Sequence, residues 1–351
     1  MSAAGFLVRP GYEISRVIRG GWQLAGGHGN IDRMQAAEDL LACFDAGIFA
    51  FDCADIYTGV EEIYGAFRRE LARRRGREAL ARLKLQTKFV PDLDLLPKIT
   101  KSDVSAVIDQ SLRRLGTERL DLVQFHWWDY RIPGCVETAL WLDELRRDGN
   151  IELVGGTNFN AAHVEALVAA GVPLATMQVQ YSLIDLRPQK QLVATCRRHA
   201  IHLLCYGAAA GGFFSERWLG APEPGEPFEN RSLRKYKLVI DDFGGWSLFQ
   251  ELLVALRRVG ERHDADIATV ASRLVLDRPM VAAVIIGGRN CDHLASNRRI
   301  PDVQLTEQDR TEIDAVLACA HPLEGDVFDL ERDRTGRHGS IMKYNLNATA
   351  A

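Results

Sequence analysis

The feature that most constrains this chain is a rhythm. Short apolar runs alternate with segments of helical spacing, and the alternation repeats eight times. The strand-like runs are Arg16–Trp22, Ile48–Asp52, Leu83–Phe89, Leu120–His126, Ile151–Thr157, Leu174–Gln180, Ile201–Tyr206 and Val281–Ile286. Helical spacing covers Met34–Ala46, Glu61–Arg74, Lys101–Leu115, Cys135–Arg147, Ala161–Ala169, Pro188–His199, Ser247–His263, Ile267–Asp277 and Cys291–Arg299. Such alternation calls for parallel strands joined by helical crossovers. Eight units predict an α/β fold, a closed (β/α)₈ TIM barrel better than an open doubly wound sheet. No Gly-x-Gly-x-x-Gly follows the first run, which disfavours a Rossmann reading. Pro10-Gly11 inside Phe6–Glu13 predicts an N-terminal hairpin. The Gly/Pro-rich stretch Gly207–Gly245 reads as a long loop after strand seven. Thr306–Ala318 reads as an extra helix with Asp309 in a capping-box position. The expectation is one domain over 1–351, with the barrel over about 14–300 and the extra helix and tail over 301–351. The tail beyond Ala320 is poor in apolar residues, so it is expected to cover a site and add little to the core.

Composition narrows the function classes. Apolar residues make up 47%, enough for a sizeable core. The net charge of -4 and a basic cluster, Arg68–Arg77, that lies on a helix pattern give no case for nucleic-acid binding. Seven cysteines lack metal or CxxC spacing, and an odd number fits no closed disulfide framework. There is no metal motif, no signal-peptide pattern, and no apolar run near the ~20 residues that span a bilayer. The expectation is a soluble cytoplasmic protein without metal, membrane or nucleic-acid partner.

Several strand-like runs end on a polar side chain. Asp52 closes Ile48–Asp52, Lys88 stands near the end of the third run, and His126 closes the fourth. Tyr57 follows Asp52 by five positions, and Gln178 lies within Leu174–Gln180. Barrel active sites form at the C-terminal ends of strands, so these residues face one cleft. A lysine entering the barrel mouth needs an anion nearby, and Asp52 can supply it. Together they suit proton donation to a carbonyl oxygen. A free tyrosine titrates near 10, and a neighbouring ammonium favours its phenolate. A histidine at the same oxygen can orient the substrate or share the proton. No side chain supplies hydride, so a cofactor must.

Five segments then resemble the aldo-keto reductase superfamily in order and spacing: Phe51-Asp52…Tyr57, Thr87-Lys88, Asp121–His126, Gly155-Gly156-Thr157-Asn158-Phe159 and Ile285-Ile286-Gly287-Gly288-Arg289. The resemblance covers roughly residues 6–320. It implies a nicotinamide-dependent barrel that prefers NADPH, with Asp52, Tyr57, Lys88 and His126 as catalytic tetrad and Tyr57 as acid. It implies that Thr157, Asn158 and Gln178 hold the nicotinamide carboxamide, with Asp52 beside them. Tyr206 would stack on the ring, and Gly20, Gly21 and Trp22 would line the site. Gly207, Gly288, Arg289, His293 and Asn297 complete the implied cofactor contacts, with Arg289 on the 2′-phosphate. Trp22, Tyr57, His126 and Trp127 would meet the substrate, a small-molecule carbonyl. Three positions depart from the pattern: Ser296 replaces a usual Glu, Ile286 a frequent Pro, and Cys53 a usual Thr or Ser. Cys53 reads as a small packing residue.

The leading functional reading is an NAD(P)H-dependent reductase of an aldehyde or ketone. The alternative is a regulatory or scaffolding barrel that binds cofactor and turns over slowly. A Schiff-base lyase using Lys88 is disfavoured, because Asp52 and Tyr57 would then lack roles.

Overall fold

The computed structural model describes residues 5–27, 29 and 31–347. Eight parallel strands close into a barrel: β3 Val17–Gly20, β4 Ala50–Asp52, β5 Lys84–Phe89, β6 Leu120–Phe125, β7 Ile151–Thr157, β8 Leu174–Gln180, β9 His202–Tyr206 and β10 Val281–Gly287. Their order around the barrel is sequential, and β10 closes against β3. The predicted (β/α)₈ TIM barrel is the fold observed.

The strands are joined by α1 Arg33–Asp45, α2 Val60–Arg82, α3 Lys101–Leu115, α4 Cys135–Arg147, α5 Ala161–Ala169 and α6 Leu192–Arg198. Their starts are set by side chains that accept orphan backbone N–H groups. Asp32 accepts from Met34 and Gln35, and Thr100 and Asp103 form a reciprocal capping box. Cys135–Arg147, Ala161–Ala169 and Lys101–Leu115 match the sequence reading. α2 runs further than predicted, but only across a break at Gly76, whose φ of 79° is left-handed.

The predicted hairpin is present as β1 Gly5–Arg9 and β2 Tyr12–Ser15. It covers the barrel end at which the strands start. Phe6 packs on His202 at 4.8 Å, the Lys84 ammonium lies 5.1 Å from the Tyr12 ring, and Arg9 donates to Leu174 and Ala200 carbonyls. Val8, Tyr12 and Ile14 are buried with the interior residues Ile18, Ala50, Leu122, Leu204 and Ala283. The floor of the barrel is therefore packed, and only the C-terminal end is left for a site.

Beyond β9 the structure corrects the sequence reading. The stretch read as a long loop carries a helix, α7 Arg231–Phe243, followed by α8 Gly245–Arg262 and α9 Ile267–Leu276. Asn230 caps α7 by accepting from Leu233, and Leu233, Tyr236, Val239, Ile240 and Phe243 form its buried stripe. That spacing is helical, but Gly and Pro on either side masked it. Conversely, Cys291–Arg299 shrinks to α10 Leu294–Asn297. Asn290 and Asp292 hydrogen-bond each other there and hold a turn in place of the first helical residues. The helix predicted at Thr306–Ala318 is α11 Glu307–Leu317, and its capping box is formed.

The tail is also corrected: it is anchored in the fold. Leu323, Val327 and Phe328 are buried, and α12 Asp329–Arg332 carries Glu331, which has no exposure at all. Glu331 receives two hydrogen bonds from Arg187, at 2.9 and 3.1 Å, while Arg187 also forks onto Asp185 at 2.9 and 2.7 Å. Burial works against the Glu331 charge, but Arg187 and Lys235 outweigh it and hold the carboxyl down at about 2. Lys190 adds two bonds to tail carbonyls at Leu323 and Gly325.

Removing one partner of a buried charged network leaves the other uncompensated. Glu331→Ala is expected to cost about 3–5 kcal/mol in urea unfolding, and a loss below about 1 kcal/mol, the level of a surface pair, would show that the tail is not anchored by this charge. Because the folded carboxyl titrates below its ordinary value near 4.5, this stabilisation is present above about pH 4.5 and fades as pH falls toward 2.

Candidate active site

The barrel mouth collects polar side chains from five strands. Lys88 on β5 donates to Asp52 Oδ2 on β4 at 2.6 Å and to the Cys53 carbonyl at 2.8 Å. Asp52 Oδ1 accepts from Gln178 on β8 at 2.7 Å and from Gln124 on β6 at 3.3 Å. Register brings these residues level, since Lys88 pairs with Gln124 and Thr157 with Gln178. One residue back along β5, Thr87 donates to the buried Glu61 at the start of α2, fixing that helix to β5. Gly21 lets this layer close. Its N–H donates to the Asp52 carbonyl at 2.7 Å, and a Cβ there would sit 2.8–2.9 Å from Val60, Asp52 and Tyr64 atoms.

Tyr57 stands over this pair. Its ring centre is 5.0 Å from the Lys88 ammonium and 5.1 Å from Trp22. Burial raises the Tyr57 phenol, Lys88 pulls it down, and burial wins, so the phenol sits above its ordinary value and keeps its proton at neutral pH. Lysine's pull is thus in the expected direction but is not the larger effect. For Lys88 the balance is reversed. Burial lowers it, Asp52 and Tyr57 outweigh burial, and it stays a cation.

His126 follows β6 and is buried. Its Nδ1 lies 3.0 Å from the Thr157 carbonyl, which can only accept, so Nδ1 carries the proton. Burial first, then the Arg332 cation, hold the ring neutral by lowering it to about 3. Nε2 is buried with no partner among the described residues. The ring is framed by Trp128 at 4.3 Å and by Phe328 of the tail at 5.5 Å. Trp128 is one of the loop aromatics that the sequence offers for the pocket, whereas nothing in the sequence singles out Phe328. Trp127, expected to meet substrate, is instead fully buried against Phe125 and donates to the Ile132 carbonyl. Neighbouring residues leave the strand end in opposite directions, so the two indoles trade places.

The residues implied for a nicotinamide converge on the same mouth. Asn158 has a left-handed φ of 62° and accepts from the Tyr206 hydroxyl at 2.8 Å. Thr157 Oγ1 donates to the Gln178 carbonyl. The Gln178 amide nitrogen is committed to Asp52, so Oε1 is the end left for a ligand. Gly207, with φ of 80°, is close to Tyr236, where a Cβ would lie 2.3 Å from the phenol oxygen. Gly20 ends β3 beside Trp22. Gly288, Arg289, His293 and Asn297 lie apart from this group, on the loop and short helix after β10, with Arg289 exposed near Gly29. Cys53 is fully buried, its thiol pushed well up by burial. Among the described residues no group of three or more His, Cys, Asp or Glu could hold a metal, and no helix is long and apolar enough to cross a membrane.

Comparison with known proteins gives a consistent picture. A model described as "Aldo/keto reductase family" matches residues 16–318. The "Aldo-keto reductase YhdN" of Bacillus subtilis is 27% identical over 317 residues, covering 88% of this chain and 91% of that protein. The "NADH-specific methylglyoxal reductase" of Escherichia coli is 24% identical over 324 residues, covering 85% and 93%. Among solved structures, the glycerol dehydrogenase of Gluconobacter oxydans superposes with a TM-score of 0.76 at 23% identity, covering 93% of this chain and 98% of that one. An aldo/keto reductase from Klebsiella pneumoniae, solved in complex with NADP and acetate, gives 0.66 at 22% identity, covering 90% and 94%.

The His126 environment yields a direct test. An imidazole held at about 3 is neutral throughout the physiological range, so its ¹⁵N resonances are expected to stay constant from pH 5 to 8 with the Nδ1–H tautomer. A titration midpoint near 6.5 would remove the argument for a neutral, desolvated ring.

Proposed function

The chain belongs to the aldo/keto reductase family, and from that premise we propose that it reduces an aldehyde or ketone to the alcohol with NADPH, using Tyr57 as general acid. The observation that carries this reading is the buried Lys88–Asp52 pair set beside Tyr57, with the open Nε2 of His126 at the same mouth. The chain is read as one catalytic domain whose tail completes the pocket.

The site suits a nicotinamide cofactor. Asn158, Thr157 and the free end of Gln178 offer amide and hydroxyl groups to a carboxamide, and Tyr206 offers a ring face. When bound, the cofactor supplies hydride. The protein's own part is proton delivery. Tyr57 gives its proton to the carbonyl oxygen as negative charge develops there. Lys88 stabilises the phenolate left behind, and Asp52 keeps Lys88 in position. His126 presents a lone pair at Nε2, so it accepts a hydrogen bond from the product hydroxyl and does not itself supply the proton. Trp22 and Trp128 give the substrate apolar walls, and buried walls strengthen each of these charge interactions.

Tyr57→Phe keeps the ring and removes the donor. Single-turnover hydride transfer from prebound NADPH is expected to fall by about 10²–10⁴-fold, with cofactor affinity retained. A variant keeping more than about a tenth of the rate would end the assignment of Tyr57 as acid.

Cofactor preference rests on Arg289 in the loop after β10. A guanidinium forks onto a 2′-phosphate through paired charge-assisted hydrogen bonds. By fluorescence titration NADPH is expected to bind more tightly than NADH, and Arg289→Ala is expected to weaken NADPH by roughly tenfold or more while NADH changes little. Equal dissociation constants for the two cofactors in the unaltered protein would overturn the preference.

A further inference from the structure

Two cations on one flank of α7 lean over the barrel mouth. Arg231 lies 6.0 Å from the Trp22 ring centre. Lys235, one turn on, lies 5.3 Å from the ring of Tyr206 and 5.6 Å from that of Phe328. Trp22 touches Tyr57, and Phe328 touches His126. Each cation is thus separated by one aromatic ring from a residue placed at the reacting carbonyl.

Their partners are missing. Arg231 has no ion pair or hydrogen bond among the described residues. Lys235 has one ionic neighbour, Glu331 at 3.9 Å, which is beyond hydrogen-bond reach. Glu331 already gives both oxygens to Arg187. Within this group Asp185 and Glu331 balance Arg187 and Lys235, so Arg231 is one positive charge in excess. Both cations are drawn out of water. The Lys235 side chain is 17% exposed, and burial lowers both groups from their ordinary values. Like charges four residues apart on a helix also repel. Elsewhere arginines near the tail and α8 find carboxylates, as Arg262 does with Asp309 and Glu312. Ring faces compensate a cation only in part. Desolvated donors held together at a pocket mouth are what an incoming anion would complete.

We propose that Arg231 and Lys235 form an anion subsite that selects carbonyl substrates bearing a carboxylate. The inference rests on the carbonyl-reductase reading and names the substrate class for it. The carbonyl would lie at Tyr57, the carboxylate under α7, and the body of the substrate between Trp22, Trp128 and Phe328. The placement favours substrate over the cofactor's diphosphate, because the two cations sit above the rings that flank Tyr57 and His126.

The test uses the full chain with NADPH and a matched pair, para-carboxybenzaldehyde and benzaldehyde. The ratio of their kcat/KM values is the readout. In the unaltered protein the charged aldehyde is expected to be preferred by about tenfold or more, through KM, as a charge-assisted contact supplies. Arg231→Gln and Lys235→Met are expected to bring the ratio toward one, and Lys235→Arg to keep it. A ratio that survives both variants overturns the proposal. So does an unchanged ratio accompanied by weaker NADPH binding, which would assign the cations to the cofactor. If neither aldehyde is reduced, the reductase reading fails separately, and calorimetric binding of benzoate still decides. Binding lost in both variants supports the subsite, and binding equal in all of them overturns it.

Discussion

The ion pair of Lys88 and Asp52 is the contact on which the rest of this molecule depends. Two charges out of water are costly unless every lone pair and proton is met. Here they are nearly all met: Asp52 takes three donors, and Lys88 gives to Asp52 and to the Cys53 carbonyl. The donors come from β5, β6 and β8, so one carboxylate holds the ends of four strands level. The same pair keeps Lys88 cationic beneath Tyr57. Strand alignment and the proposed proton chemistry therefore rest on one interaction, and the layer cannot be loosened for one purpose without affecting the other.

The strand-end residues were legible because a barrel turns a one-dimensional pattern into a ring. Asp52, Lys88 and His126 each end an apolar run, and parallel strands send all such ends to one face. Gln124 carries the same signal, a polar residue in an apolar run two positions before His126, and is buried. Trp127 and Trp128 show the limit of the method: one residue of phase decides which indole reaches His126. α7 had a legible stripe but was hidden by its Gly- and Pro-rich flanks.

What the sequence could not reveal is the contact between distant segments. Glu331 meets Arg187 across 144 positions, and nothing local to either residue foretells it. The tail looks polar because its hold on the fold is made largely with charges. Arg332 follows the same principle, donating to the Trp127 and Asn158 carbonyls and lying 4.0 Å from the Tyr130 ring. Low apolar content signals a weakly held segment only where buried charges are not available to replace apolar area.

The hairpin under the barrel has a consequence for traffic. With Val8, Tyr12 and Ile14 packed into the floor, the described residues leave one door, the mouth at the C-terminal ends of the strands. On the proposed reading, hydride donor and acceptor must pass through it in turn. On that reading the dinucleotide would reach down to Asn158 and Gln178, while the carbonyl compound would lie nearer α7 and the tail. Whatever sits deeper must enter first and leave last, so the order of binding is written into the closed end of the barrel, far from any atom that reacts.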